Sequence, residues 1–148
     1  MKKLFPNCLS LYFCFLLSAS CAAGEPTAKP NKVLSCPDSP NCVSSLSTDK
    51  THFIEPLHYA VSLADARQRI INILQNTKRV RLVTIETQYI NAEFRSLVFQ
   101  FVDDVEFYFP SEKGIIHIKS ASRAGYYDFG VNRRRVERIR SAFAHSAK

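Results

Sequence analysis

Several features that identify common functional classes are missing from this 148-residue sequence. The apolar run at residues 9–17 is the longest in the leader, and it is well short of the roughly 20 residues that a membrane-spanning helix needs. The chain has no GxSxG nucleophile elbow, no CxxC pair, no internal repeat and no known nucleic-acid-binding motif. These absences argue against a spanning helix at the N-terminus, a nucleophile-elbow hydrolase and a cysteine-rich metal or redox site.

Acidic residues are scarce near the C-terminus. Residues 113–148 contain nine Lys or Arg and two Asp or Glu, whereas residues 25–112 contain nine and eleven. Such asymmetry is typical of proteins that bind nucleic acid, anionic lipid or an acidic partner. Because the leader predicts export, we expect no nucleic-acid partner.

Residues 1–20 are predicted to be a signal peptide of lipoprotein type. Lys2 and Lys3 form a positive start, the apolar run follows, and small residues come next. Residues 17–21, LSASC, resemble a bacterial lipobox, although Ser18 stands where leucine is usual. We therefore predict that Cys21 is lipidated and becomes the mature N-terminus. The alternative is ordinary cleavage near Ala22 or Ala23, which would release a soluble periplasmic protein.

Residues 21–35 are predicted to be the lipidated cysteine and a flexible tether. The segment EPTAKPNK at residues 25–32 has two prolines and little to bury. Ala22 at the second mature position is typical of lipoproteins sent to an outer membrane. We expect an exported protein of the bacterial cell envelope, on the periplasmic side, that contacts the membrane through its lipid anchor.

Two cysteines remain in the body of the chain. Cys36 and Cys42 flank PDSPN, a turn-rich loop that brings its ends together, and an exported protein meets an oxidising compartment. We predict a disulfide, which would stabilise the domain by about 2 kcal/mol for so short a ring. A redox or metal pair is the alternative, and the spacing does not favour it.

Residues 36–145 are predicted to form a single globular domain of the α+β class. Ser62 begins a helix that ends near Asn76, and a second helix has its apolar stripe at Val136, Ile139 and Phe143. Between them we expect strands over residues 80–87, 89–95, 97–109 and 115–120. Short connections favour an antiparallel meander of about four strands, with the two main helices packed on one face.

Asp103 lies in an apolar register. Residues at a spacing of two from Leu97 to Phe109 are otherwise Leu, Phe and Val, whereas Asp104 and Glu106 point to the other face. A buried acid needs a partner, and we expect Arg123 or Arg133 to supply it.

The start of the last helix is predicted to attract an anion. Asn132 is the expected cap, and three arginines follow it, although positive charges oppose the helix dipole there. Free amides after Asn132 would bind the same anion, with Arg133 as the inward arginine. The alternative is that Asp128 or Asp103 is that anion and the site is structural.

The candidate polar site therefore has two open interpretations, ligand binding or structural support. We assign no catalytic residue, no metal and no cofactor, because nearby arginines would repel a cation and no nucleophile motif supports Ser120, Ser122 and His117. The histidines His52 and His58 fit a solvated loop better than a metal site. The site residues are Asp103, Asp104, Glu106, Lys119, Arg123, Asp128, Asn132 and Arg133.

Three segments resemble a known family. CPDSPNCVSS at residues 36–45, VDDVEF at 102–107 and HIKSASRAGYYDFGVNRRR at 117–135 are similar to the bacterial and plastid domain of unknown function 1499 (DUF1499). The resemblance implies a small exported or membrane-associated α+β domain, and it implies no activity.

The leading functional hypothesis is an uncharacterised envelope lipoprotein that binds an anionic ligand, such as a lipid headgroup or a cell-wall fragment, without catalysis. One alternative is a structural partner of another envelope protein, bound through the basic C-terminal helix. Another is a hydrolase of unknown substrate.

Overall fold

The computed structural model describes residues 34–112 and 114–146. The signal peptide, Cys21 and the tether up to residue 33 lie outside the described residues, so what the sequence predicts for them stays a prediction. Within the described ranges, no helix combines the length and apolar character that crossing a bilayer requires.

The described chain forms an antiparallel sheet and two helices. The sheet order is β1-β6-β5-β4-β3, and β2 also pairs with β6. The α+β class is confirmed, with six strands in the described residues instead of about four. In chain order the elements are β1 (Cys42–Ser44), β2 (Leu57–His58), α1 (Leu63–Gln75), β3 (Val80–Ile85), β4 (Tyr89–Arg95), β5 (Val102–Tyr108), β6 (Ile115–Ser122) and α2 (Val131–His145).

The two additional strands lie along the outer edge of β6. β1 pairs with residues 119–121 and β2 pairs with residues 115–116. They are three and two residues long, so no alternating pattern could mark them in the sequence. Their extended backbone follows from pairing with β6, which means that tertiary contacts create these strands.

The predicted strand over residues 97–109 is wrong in its first half. β5 begins only at Val102, and the Ser96 amide donates to the Phe101 carbonyl at 2.9 Å, which closes a loop between β4 and β5. Gln100 has a φ of 54° inside that loop. The apolar residues before Val102 are exposed because the chain turns there instead of pairing.

Helix α1 begins where its sequence predicts. The Ser62 hydroxyl accepts from the Asp65 amide at 3.1 Å, and the same hydroxyl donates to the Asp65 carboxylate at 2.7 Å. Ala66, Ile70 and Leu74 recur at a spacing of four and are buried. This stripe fixes α1 on the sheet.

One face of the sheet packs against both helices and forms the core. Val105 and Phe107 of β5 alternate inward, and Ile90 and Ala92 of β4 join them. Phe109 also lies fully buried, just beyond the end of β5. From the helix side, the core is completed by Ala66, Ile70, Leu74, Val136, Ile139 and Phe143.

The predicted disulfide is confirmed, and it closes the ring before β1. Cys36 and Cys42 are bonded, with their Cα atoms 5.7 Å apart. Asn41, inside this ring, donates from its side-chain amide to the Gly125 carbonyl at 2.5 Å. The start of the domain is therefore held against the loop between β6 and α2.

Candidate functional site

Asp103 is buried and pairs with Arg135 of helix α2. Both side chains lie on the helix-covered side of the sheet, and the guanidinium donates to the Asp103 carboxylate. Burial lowers the pKa of the Arg135 guanidinium, while the charge of Asp103 opposes that shift. An arginine partner was predicted, but the choice of Arg123 or Arg133 is wrong.

Asn132 connects the start of α2 to the sheet. It is fully buried, and its side-chain oxygen accepts from the Ser120 hydroxyl at 2.6 Å. Its side-chain nitrogen donates to the Asn41 carbonyl at 2.8 Å and to Ser122 at 3.0 Å. The prediction that Asn132 caps the helix is wrong, because the helix begins one residue earlier and its N-cap is Gly130.

Asp128 fills the N-terminus of α2. Its carboxylate accepts from the backbone amides of Gly130 and Asn132 at 2.9 and 2.8 Å. Gly130 has a φ of 74°, a conformation that glycine adopts without strain. The anion predicted at this helix start is therefore the chain's own carboxylate, which is the structural alternative.

Arg133 and Arg140 bind the arm that follows β1. Arg133 donates to the carbonyls of Thr51 and Phe53, each at 2.8 Å. Arg140 donates to the carbonyl of Pro56 at 2.7 Å and to that of the preceding residue at 2.6 Å. The expectation that Arg133 points into the polar site is wrong, since its guanidinium fastens the arm to α2.

Arg123 and Asp104 belong to an ion-pair network on the open face of the sheet. Arg123 donates to both carboxylate oxygens of Asp104 at 2.7 Å and to Glu93 at 2.7 Å. Arg81 also donates to Glu93, at 2.8 Å. Hydrogen bonds from Arg81 and then Arg123 lower the pKa of Glu93. The hydrogen bonds that Arg123 donates to Asp104 and then to Glu93 raise the pKa of Arg123.

Glu106 and Lys119 form a second group on the same open face. The Lys119 ammonium lies 3.1 Å from one carboxylate oxygen of Glu106, and the Tyr89 hydroxyl donates to the other at 2.7 Å. Burial and the Glu106 charge raise the pKa of Tyr89. These contacts link neighbouring strands, so their arrangement is that of a cross-strand network.

The residues that a hydrolase would need are not brought together. Ser120 faces α2, where its hydroxyl donates to the side-chain oxygen of Asn132 and accepts from Arg135. His117 alternates to the opposite face and contacts Ser45 at 3.2 Å. Since the sheet separates Ser120 from His117, they cannot act as nucleophile and base.

Neither predicted loop histidine stands in a metal site. His52 contacts the Asp49 carboxylate at 2.6 Å and the Ser39 carbonyl at 3.2 Å. Over residues 34–112 and 114–146, no three His, Cys, Asp or Glu side chains lie close enough together to hold an ion.

A groove of about 490 Å³ lies between the C-terminal end of α1, the end of β4 and helix α2. Asp103 is the only carboxylate among its lining residues, and Arg135 neutralises it. The cationic residues around it are Lys78, Arg79, Arg95, Arg135 and Arg138, and the apolar ones are Ile73, Phe94, Val131, Ile139 and Ala142. The groove thus combines an apolar floor with a cationic rim.

Two cations of this rim are free to bind something else. Among the described residues, Lys78 and Arg138 have neither a hydrogen-bonding nor an ion-pair partner for their side chains. The Arg138 charge also contributes to lowering the pKa of Arg135, after burial. An anion in the groove would relieve that repulsion.

Sequence reasoning preferred Arg133 to Arg135, and it missed Glu93 and the groove. The apolar stripe of α2, extended backwards by four residues from Val136 and Ile139, reaches Asn132 and Arg135. That extension of the stripe is the sequence signal that predicts burial of Asn132 and Arg135. The groove leaves no such signal, because its cations come from three separate elements.

Comparison with known proteins identifies the family. No curated protein matches the chain. The family described as "Protein of unknown function (DUF1499)" matches residues 32–143, which include every described strand and nearly all of α2. The chain therefore belongs to the DUF1499 family.

Proposed function

We propose that this DUF1499 protein is a cell-envelope lipoprotein whose domain binds an anionic ligand without catalysing a reaction. The observation that carries the proposal is the groove between α1 and α2, with five cationic residues around an apolar floor. Grooves of this size are typical of small-molecule sites. The proposed ligand site is the groove and not the start of α2, because Asp128 already fills that start.

The balance of charge in the groove favours an external anion. The only lining carboxylate is bound by Arg135, so Lys78, Arg79 and Arg138 have no acidic partner there. Arg95 reaches Glu93 only at 3.7 Å. A phosphate or carboxylate would form charge-assisted hydrogen bonds with several of these groups at once.

The apolar floor indicates a ligand with two chemical parts. Phe94 and Ile139 lie beneath the cationic rim, and Ala142 extends the apolar surface along α2. An acidic headgroup attached to an apolar chain satisfies both parts. This chemistry is shared by anionic phospholipids and by lipid-linked cell-wall fragments, so either source fits the proposal.

The anchor is the second part of the proposal. The lipobox-like leader supports acylation of Cys21, retention on the periplasmic side and delivery to the outer membrane. The intact mass of protein extracted from the membrane fraction should include a diacylglyceryl group. A soluble product beginning at Ala23 or Gly24 would show that Cys21 is not acylated. It would not affect the proposal that the groove binds a ligand.

Ligand binding is tested with short-chain lipids below their micelle concentration. Dihexanoyl phosphatidylglycerol should raise the melting temperature, because binding to the native state stabilises it by about 2.7 kcal/mol at a hundredfold excess over the dissociation constant. Dihexanoyl phosphatidylcholine should do much less. The same measurement with inorganic phosphate tests the anionic group alone, because phosphate has no apolar chain.

The decisive variant removes the two unpartnered cations. Lys78→Ala combined with Arg138→Ala should raise the dissociation constant for the anionic lipid at least about tenfold, given the usual strength of hydrogen bonds to charged groups. Lys50→Ala combined with Arg69→Ala removes the same charge outside the groove and should leave binding unchanged. If both double variants weaken lipid binding equally, binding depends on net charge alone and the proposed site is wrong.

The two other hypotheses receive less support. A partner bound through α2 would find few unpartnered arginines there, because Arg133 and Arg140 bind the arm and Arg135 binds Asp103. A hydrolase would need Ser120 and His117 on one side of the sheet. We therefore do not propose either.

A further inference from the structure

Two loops expose apolar side chains to an unusual degree. In the loop between β4 and β5, and in the loop between β6 and α2, seven large apolar or aromatic residues are 54–78% exposed. They are Leu97, Val98, Phe99, Phe101, Tyr126, Tyr127 and Phe129. Single exposed apolar residues are common on protein surfaces, whereas a cluster of this kind marks an interaction surface.

Both loops lie at the same end of the sheet. Asp103, near the start of β5, pairs with Ser122 at the end of β6. The Arg123 amide then donates to the Val102 carbonyl at 3.1 Å, so the chain leaves β6 beside the point where it enters β5. We call this surface the apolar end.

The aromatic residues are held outward by the backbone. Phe129 has a φ of 54°, in the left-handed region that bulky residues rarely adopt, and Arg134 donates to its carbonyl at 2.8 Å. The rings of Tyr127 and Phe129 contact edge to face at 5.1 Å, and those of Phe99 and Phe101 stack at 5.5 Å. Strained backbone that displays exposed rings is typical of functional sites.

Cations surround the apolar end. Lys78 and Arg79 precede β3 at this end, Arg95 ends β4, and Arg123 and Arg134 flank the second loop. The nearby carboxylates Glu93, Asp103, Asp104 and Asp128 are bound by arginines or backbone amides, and Asp38 in the disulfide ring is the exception. The opposite end of the sheet carries Glu86 and Glu112, together with Arg67, which donates to the Glu86 carbonyl. With Arg81 and Arg135, which bind Glu93 and Asp103, the apolar end has seven cations and five carboxylates. The apolar end is therefore the more positive end of the sheet.

The disulfide ring near the start of the described chain lies at the same end. Asn41 in that ring is hydrogen-bonded to Gly125 in the second loop, and the carbonyl of Leu34, two residues before the ring, accepts from Ser44 of β1. Twelve residues lie between Cys21 and Leu34, and a fully extended chain of that length spans at most about 45 Å between the two. A lipid on Cys21 would keep the apolar end within reach of the bilayer.

We propose that the apolar end docks on an anionic bilayer, with the Phe99 and Phe129 loops inserted among the lipid headgroups. Aromatic and aliphatic side chains enter the interface, and the surrounding cations bind acidic headgroups. Ser96 and Val131 adjoin the two loops and also line the groove, so the docked domain presents its groove to the membrane surface. The docking rests on the loops and their flanking charge, and it stands whether or not the groove binds a ligand.

Tryptophan fluorescence tests this docking, because the chain contains no tryptophan. Phe99→Trp and Phe129→Trp place a single reporter in each loop, and Ile85→Trp places one at an exposed apolar position at the opposite end of the sheet. Each full-length variant is mixed with vesicles of phosphatidylglycerol and brominated phosphatidylcholine. Quenching at both loop positions should exceed that at Ile85→Trp at least about twofold, since interfacial elements enter the headgroup region by roughly 5–10 Å.

Lipid composition provides the second arm of the test. Replacing phosphatidylglycerol with phosphatidylcholine should weaken loop quenching for a given amount of vesicles, because the flanking cations lose their counter-charge. Equal quenching at all three positions, or none, would overturn membrane docking. Absence of quenching together with a dimer mass in solution would assign the apolar end to a second copy instead. Arg138→Ala separates the proposals, because Arg138 lines the groove and is not one of the cations around the apolar end. Loop quenching should persist in that variant while groove binding weakens.

Discussion

Asp103 and Asp104 are neighbours on β5, yet they lie in different environments. Asp103 faces the helices and pairs with Arg135, and both side chains are about nine-tenths buried. Asp104 faces the open side, where it is 24% exposed and binds Arg123, which is 48% exposed. The buried pair has one hydrogen bond between guanidinium and carboxylate, whereas Arg123 donates to both oxygens of Asp104. Adjacent residues of a strand point to opposite faces of the sheet. A shift of one position along β5 therefore decides whether an ion pair is buried and costly to break.

The largest expected effect is from breaking the buried pair. Asp103→Ala leaves Arg135 charged and buried, so the free energy of unfolding should fall by about 3–5 kcal/mol. Asp104→Ala leaves a solvated arginine that still has Glu93, and the loss should stay below about 1 kcal/mol. Chemical denaturation of both variants measures the difference. Two small and equal losses would show that burial does not distinguish the two sides of β5.

A smaller effect is expected on the open face, and pH reveals it. The pKa of Glu93 is lowered from its ordinary value of 4.5 by Arg81 and then Arg123. A lowered pKa stabilises the folded state above pH 4.5, and this contribution is lost as the pH falls through the folded value. Glu93→Gln should therefore be less stable than the unmodified protein at neutral pH, and the gap should narrow below pH 4.5.

The control for the pH measurement is Glu55→Gln. Glu55 is exposed, and its side chain forms no ion pair within the part of the chain that is described. Its replacement should leave the acid limb of the stability curve unchanged. If Glu93→Gln and Glu55→Gln follow the same curve, the arginines around Glu93 do not set its titration.

Much of the fold could be predicted because it is encoded by short-range patterns. Alternation placed Asp103 on the apolar side of β5 and Asp104 on the other, and Ser62 marked the start of α1. The disulfide followed from a turn-rich loop of five residues. In each case the signal lies within a few residues of the feature it predicts.

The rest depends on contacts between distant parts of the chain. The alternation before Val102 predicts a strand, but Phe99 and Phe101 have no strand to pair with at the hairpin turn. The stripe of α2 includes Arg135, but only the packed helix shows that its guanidinium reaches Asp103 while Arg133 binds the arm.

The arm between β1 and α1 has a consequence for the order of folding. β3, β4, β5 and β6 are joined by short loops, so their pairing requires little loop closure. The arm, in contrast, pairs with β6 and is held by Arg133 and Arg140 near the C-terminus, more than 80 residues away in sequence. These partners follow the arm in the sequence, so the arm is synthesised before them. We expect the Cys36–Cys42 ring to close while the arm is still undocked, and the edge of β6 to be covered only when α2 has formed.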